Sequence, residues 1–283
     1  MKFITFYKLY YDHRFKKSKI WLKIYLILTI PIKYLINLPF IPKKKNLDLM
    51  AQKFPDFFSK NLDFLFEFFN SDKGNYYIDQ YRQPVKRNNK KIDAHGYSEI
   101  YENFFFKKKN DQLNILELGS FYGNASASLF FYFKNSKIFS TDIFPDLFRY
   151  QSKRIENFFI DNSSELSIKN TLLNKDISYD IVIEDACHAF KDQIISLFML
   201  FRKLNRGALF IVEELDHPDT RDDRNINNEH PTLREILNLI NDNQDFDSKY
   251  ILSEDKEYFL KNYEYIKIFK GKTNEIAIIK KND

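Results

Sequence analysis

From residue 111 onward, short apolar runs alternate with stretches in which apolar positions recur at helical spacing. Ile115 to Leu118 reads as a buried strand that stops at Gly119. Gly123 follows, and Ala125, Ser126, Ala127 and Ser128 open a helix whose small side chains let it pack close to a strand. Lys137 to Ser140 is a second strand, stopping at Asp142, and Ile155 to Ile160 a third, ending in Asp161-Asn162-Ser163-Ser164. Tyr179 to Glu184 is a fourth, and its run of Ile and Val predicts burial on both faces. A helix from Phe190 to Leu204, a fifth strand from Ala208 to Val212, a helix from Pro231 to about Asn241 and an antiparallel hairpin around Gly271 complete the pattern. This alternation predicts an α/β chain with a doubly wound, mostly parallel seven-stranded sheet that binds ligands at the carboxyl ends of its strands.

The first 110 residues follow another pattern. Ile20 to Pro42 is apolar, flanked by Lys16, Lys17 and Lys19 before it and Lys43, Lys44 and Lys45 after it. Its length matches the ~20 residues of a membrane span, but Lys23, Lys33, Pro31, Pro39 and Pro42 would place charge and broken backbone in hydrocarbon. Two readings stand. One is a helix lying in the headgroup region, with Trp21, Tyr25 and Tyr34 at the interface and lysines reaching anionic lipid. The other is a helical extension packed on the body or on a partner chain. No small-residue cleavage site follows, so the stretch is not read as a secretory signal. Leu47 to Asn70 predicts an amphipathic helix pair broken near Pro55, with Phe54, Phe57, Phe58, Leu62, Leu65, Phe66 and Phe69 toward the core. The expected division is a basic apolar segment over 1–45, a helical cap on the substrate side over 46–110, and the α/β domain over 111–283.

Composition adds constraints. The chain has six glycines in 283 residues, well under the usual ~7%, so each marks a backbone demand that other residues do not meet. Two of them, Gly119 and Gly123, share one turn. The spacing E-x-G-x-x-x-G of Glu117, Gly119 and Gly123 lacks the middle glycine that admits a pyrophosphate in dinucleotide folds. With Asp142 about 20 residues on, where a ribose needs an acceptor, the turn points to a nucleoside ligand without a diphosphate. A nicotinamide oxidoreductase is thereby disfavoured. The single cysteine, Cys187, excludes an intrachain disulfide framework and fits a reducing, cytoplasmic setting, at the membrane face if residues 1–45 anchor there. Residues 1–45 carry a net charge of +10 and the remainder −5, so the basic balance of the whole chain implies no nucleic-acid partner.

Glu117-Leu-Gly119-Ser120-Phe-Tyr122-Gly123 resembles the first motif of the class I S-adenosylmethionine-dependent methyltransferases, which have a Rossmann-like fold. Upstream, Ser71-Asp72-Lys73-Gly74 and His95-Gly96-Tyr97-Ser98-Glu99-Ile100-Tyr101-Glu102 are similar to the S-D-K…H-x-Y-x-x-x-Y-E pattern of one branch, that of the macrocin and mycinamicin sugar O-methyltransferases and the cephalosporin hydroxylase-like proteins. The resemblance covers roughly residues 70 to 280. It implies that Lys73, His95, Tyr97 and Tyr101 lie over the cofactor pocket, that Glu117, Gly119, Ser120, Tyr122, Gly123 and Asp142 hold S-adenosylmethionine, and that Asp161 and Ser163 meet its adenine.

In the usual methyltransferase strand order, Asp185 and the pair Glu213-Glu214 share one sheet edge on neighbouring strands ~4.8 Å apart. Three carboxylates so close repel unless a cation sits among them. Oxygen ligands without a thiolate favour Mg²⁺ or Mn²⁺. By resemblance Asp185, Glu213 and Glu214 are the metal ligands, Asp185 also faces the cofactor, and His188 is the catalytic base. The family's Asp-Asp-Gly-Ser is here Glu184-Asp185-Ala186-Cys187, and its Glu-Asp is Glu213-Glu214. The function so implied is metal-assisted methylation of a hydroxyl on a sugar or glycosylated acceptor, by a homo-oligomer. A catechol-type small-molecule O-methyltransferase, or a non-catalytic membrane-associated scaffold that keeps the fold, is the alternative. Cys187 is read as a packed small hydrophobe, and His13, His217 and His230 as structural or surface residues. Acceptor identity is assigned to Gln80–Asp93 and Asp216–His230, which carry no readable code.

Overall fold

All seven expected strands join one sheet in the computed structural model, which describes residues 3–11, 18–38, 44–78 and 91–283. They are β1 (Asn114–Leu118), β2 (Lys137–Asp142), β3 (Ile155–Phe159), β4 (Tyr179–Glu184), β5 (Leu204–Val212), β6 (Tyr263–Lys270) and β7 (Glu275–Lys281). The order across the sheet is β3-β2-β1-β4-β5-β7-β6. Pairing is parallel from β3 to β5 and antiparallel where β7 enters between β5 and β6. The chain reverses direction across the sheet between β1 and β4, the switch point at which open α/β sheets bind ligands.

The helices used below are α1 (Phe3–Tyr10), α2 (Ile20–Asn37), α3 (Leu47–Lys53), α4 (Leu62–Phe69), α5 (Ser98–Phe105), α6 (Asn124–Tyr132), α7 (Phe190–Leu200), α8 (Leu233–Asn241) and α9 (Ser253–Asn262). Strand alternation divides the interior in two. Leu116, Leu118, Val182, Phe210 and Ile279 face α7, α8 and α9, whereas Ile115, Ile181, Ile183, Ile211 and Ile278 face α4, α5 and α6. Every residue of α6 is buried, and its small first turns let it lie between the sheet and α4, with Ser128 Oγ donating to Leu65 O at 3.1 Å.

Boundaries differ from expectation where local chemistry intervenes. Pro55 starts a 3₁₀ turn, Pro55–Ser59, between α3 and α4, whose caps are Asn46 and Asn61. Of the apolar positions expected toward the core here, Phe54 is exposed and Phe58 half-buried. The helix expected to reach Leu204 stops at Leu200, and β5 begins four residues before Ala208. The pairing with β4 slips between Tyr179↔Leu204 and Ile181↔Leu209, a bulge that Gly207 accommodates at φ 68°. Residues α1 and α2 form a hairpin with a separate small core of Phe6, Leu26 and Ile30, and α2 continues through Pro31. No described helix is long and apolar enough to cross a membrane.

Candidate active site

Two glycines hold the tip of β1 in a shape no other residue permits. Gly119 has φ 87°, and a Cβ there would lie 2.1 Å from the carbonyl oxygen of Asp185, so the tips of β1 and β4 touch backbone to backbone. Gly123 has φ 80°, and a Cβ would lie 2.3 Å from the Phe148 ring. The turn is fastened to β2 by Gly119 N and Ser120 N, both donating to Thr141 O at 2.8 Å. Asp142 continues the fastening: its Oδ2 accepts from Phe121 N at 2.8 Å and its Oδ1 from Phe144 N at 2.7 Å. Burial pushes the Asp142 carboxyl up, against those two amides.

A small cavity opens at the amino end of α6, between Ser71-Asp72-Lys73 and the Gly119–Asn124 turn. Helix amides without intrahelical partners make such an end receptive to a carboxylate. Ser120 Oγ, buried beside it, has no hydrogen-bond partner among the described residues. Glu117 lies beneath, accepting from Ser126 Oγ, and burial pushes its carboxyl up. At the tip of β3, Asp161 is engaged locally, its Oδ1 accepting from Ser163 N at 3.0 Å and Ser163 Oγ at 2.6 Å. Asn162 between them is buried, with neither amide atom paired among the described residues. It was not among the expected cofactor residues.

The carboxylates at the tips of β4 and β5 are arranged around Lys73. Its ammonium, 1% exposed, pairs with Asp185 and lies 2.7 Å from Glu213 Oε2, while Tyr101 donates its hydroxyl to the other oxygen of Glu213. Burial alone would lower the Lys73 pKa, but Asp185 and Glu213 outweigh it and hold it well above the usual value. Asp185 is itself pushed up, by burial and by its acidic neighbours against the pull of Lys73. The positive charge required among these acids is therefore supplied, in this structure, by a side chain expected to lie over the cofactor.

Glu214 turns away from that group toward three histidines. Its Oε2 accepts from His188 Nε2 at 2.6 Å, and its Oε1 lies 3.2 Å from His95 Nε2 and 3.7 Å from His217 Nε2. Against the cost of burial, His188 first and then His95 and His217 hold Glu214 well below the usual carboxylate range. In return His188 is raised despite burial, whereas His217, with burial as the main cause, is lowered to about 4. Asn274, from the β6–β7 turn, donates to Glu214 Oε1 at 3.2 Å and sits 3.2 Å from His217 Nε2. Gly271 brings that turn in, since a Cβ there would strike His95 O at 2.3 Å. Tyr97 supports the same corner, its hydroxyl accepting from Glu214 N at 3.4 Å and donating to Glu275 O at 3.3 Å.

His217 thus stands inside the cluster rather than as the structural or surface residue expected. Its offset from Glu214 is three residues, the same as that of His188 from Asp185, and this was the signal available. Asn274 had none, being brought in by tertiary structure. Cys187 is not packed: it is exposed, with its thiol on Asp192 Oδ2 at 2.7 Å. Desolvation of the sulfur and the Asp192 carboxylate push it up to about 12, which leaves it protonated and poorly nucleophilic. His230 is exposed and pairs with Glu235 at 2.8 Å. His13 and the acceptor stretch 80–90 lie outside the described residues.

Backbone strain marks the same edge. Among the described residues, six non-glycine positions have positive φ; three are asparagines, which tolerate that region, and the others are Phe121, His188 and Glu214 at 43°, 54° and 50°. They sit just beyond β1, β4 and β5. Strain of this kind, of order 1–3 kcal/mol each, persists where surrounding structure enforces it and clusters at sites of function.

No family model matches the chain. A solved structure of the MycE methyltransferase from the mycinamycin biosynthetic pathway, in complex with Mg, SAH and mycinamycin VI, superposes with a TM-score of 0.57 over 79% of this chain and 55% of that one, at 17% identity. The chain has the class I methyltransferase fold. A second crystal form of MycE with Mg and SAH gives the same TM-score at 18% identity. In sequence, the 8-demethyl-8-alpha-L-rhamnosyl tetracenomycin-C 2'-O-methyltransferase of Streptomyces olivaceus is 26% identical over 138 residues, covering 46% of this chain and 36% of the relative. The chain therefore matches about a third of that relative's length and about half of MycE's. The chain is thus similar in part of its sequence to a sugar O-methyltransferase and shares the methyltransferase fold, and the strained residues and the Lys73 group lie together at the carboxyl edge of its parallel strands.

Proposed function

We propose that the protein is an S-adenosylmethionine-dependent O-methyltransferase acting on a hydroxyl of a sugar or glycosylated acceptor. The observation that carries this is the meeting, at one sheet edge, of the Gly119–Gly123 turn and its cavity with the Asp185, His188 and Glu214 group. The cofactor's amino-acid end fits the cavity beside Ser120 and the start of α6, its ribose the tip of β2 at Asp142, and its adenine the amide of Asn162 between Asp161 and Ser163.

A divalent cation suits the donors present. Asp185, Glu213 and Glu214 offer the oxygens a hard ion such as Mg²⁺ prefers, and the Lys73 ammonium marks where positive charge is stabilised between two of them. Donor atoms of His188, Glu214 and His217 also lie within 4.8 Å of one another, a set containing nitrogen that suits a borderline ion. Glu214 belongs to both sets. When bound, such an ion lowers the pKa of an alcohol it ligates.

The remaining work falls to this chain's residues. His188, whose Nε2 lies 3.6 Å from Asp185 Oδ1, takes the hydroxyl proton. Glu214, which pairs with His188, is also one of the residues that would hold the ion. Glu117 and the two glycines fix the cofactor turn, and methyl transfer requires oxygen and methyl carbon ~3 to 3.5 Å apart and in line. A membrane contact through residues 1–45 belongs to the same reading, because a glycan carried on a lipid would be presented there. The test is His188→Ala: it keeps S-adenosylmethionine binding and loses methyl transfer. Turnover retained in that variant removes His188 from the role of base.

A further inference from the structure

The α1–α2 hairpin carries an apolar face that the described residues leave uncovered. On α2, Leu26 and Ile30 are buried against α1, and Lys23, Lys33 and Tyr34 are half-buried on the same side. Tyr34, expected at a membrane interface, instead packs on Phe3 and Phe6 with ring centroids 5.4 Å away in each case. Lys33 lies over the Tyr11 ring at 5.4 Å. Opposite this stripe, Trp21, Ile24, Leu28, Ile32, Leu35 and Ile36 are 55–66% exposed. At the helical repeat these six fall within an arc of roughly 120°, the width of a face built for burial. An exposed apolar surface so continuous marks an interaction site.

The charge distribution identifies its cover. Both lysines within α2 turn away from the exposed face, which removes the objection that a membrane would bury them. Lys19, Lys44 and Lys45 are exposed at the ends of the segment, and residues 1–45 have a net charge of +10 against −5 for the rest. A second copy would bring two such segments together against their mutual repulsion. An anionic lipid surface offers apolar depth and negative charge at once.

We propose that α2 lies in the plane of an anionic bilayer surface, with its Trp21–Leu28–Leu35 face in the acyl boundary and α1 on its back among the headgroups. Resting on the methyltransferase reading, this makes the acceptor a glycan presented at that surface, such as a lipid-linked one.

Trp21 is the only tryptophan in the chain, so its emission reports on this face alone. The full chain is mixed with vesicles of phosphatidylcholine, with or without phosphatidylglycerol, and with brominated acyl chains as quenchers. Expected are a shift to shorter wavelength and quenching on anionic vesicles, weakening with added salt, and a loss of at least about tenfold in partition for Leu28→Glu combined with Ile32→Glu. An unchanged emission on anionic vesicles overturns the proposal, as does equal binding to neutral ones. A shift that appears without lipid and grows with protein concentration overturns it in favour of a second copy. S-adenosylmethionine binding measured on the same sample separates failure of this surface from failure of the methyltransferase reading.

Discussion

Replacing Lys73 by Met removes the ammonium and keeps most of the side chain's length, so the loss isolates the charge. Lys73 is 1% exposed and holds Asp185 and Glu213 apart, with Glu213 as buried as itself. Removing one partner of a buried ionic group leaves the other uncompensated, at a cost of about 3–5 kcal/mol. For a domain of this size that corresponds to a fall in Tm of very roughly 6–20 °C. The raised Lys73 pKa gives the sign: its contribution is complete below 10.5 and is lost only as pH rises through the folded value, so the difference is fully present at pH 7. Denaturant unfolding of wild type, Lys73→Met, Glu213→Gln and the double variant closes a cycle. The double variant should cost clearly less than the sum of the two single ones. A divalent cation should recover part of the Lys73→Met loss, because two acids without their counter-charge are then free to bind it. A cost under about 1 kcal/mol, with additive single variants, refutes the assignment of Lys73 as the counter-charge.

Gly119→Ala should destabilise the protein by roughly 3 kcal/mol or more, because left-handed φ and overpacking against Asp185 O act together; unfolding by urea measures it. The His188–Glu214 pair should contribute most between about pH 4.5 and 6.5. The depressed Glu214 contribution is lost as pH falls below 4.5 through its folded pKa, and the raised His188 contribution declines as pH rises above 6.5 through its own. The stability difference between wild type and Glu214→Gln, followed over pH, should therefore peak in that window, and a flat difference contradicts the pairing. Calorimetric titration with Mg²⁺ should lose binding in Asp185→Asn and retain it in His217→Ala; the reverse pattern places the ion on the imidazoles.

Much of the sheet was legible because parallel strands buried on both faces, such as Tyr179 to Glu184, read as continuous apolar runs. Gly119 and Gly123 were legible because the chain is poor in glycine and places two in one turn, where positive φ and close approach coincide. The early start of β5 was not, since a bulge at Gly207 leaves no pattern before pairing is known. The acids at the strand tips could be placed on one edge from sequence, but their partners could not. Lys73 comes from 112 residues before Asp185, and Asn274 from 60 residues after Glu214, so both depend on how segments outside the parallel strands close over the edge. His217 repeats the three-residue offset of His188, yet a lone histidine gives no hint that Glu214 will turn toward it.

The central claim is tested most directly by isothermal titration of S-adenosylmethionine into the full chain, repeated with Gly123→Val, whose side chain would strike the Phe148 ring and distort the turn. Saturable binding at one site per chain, lost in a Gly123→Val protein that still unfolds cooperatively, is the result the account predicts. Absence of binding to a wild-type chain shown to be folded would contradict it.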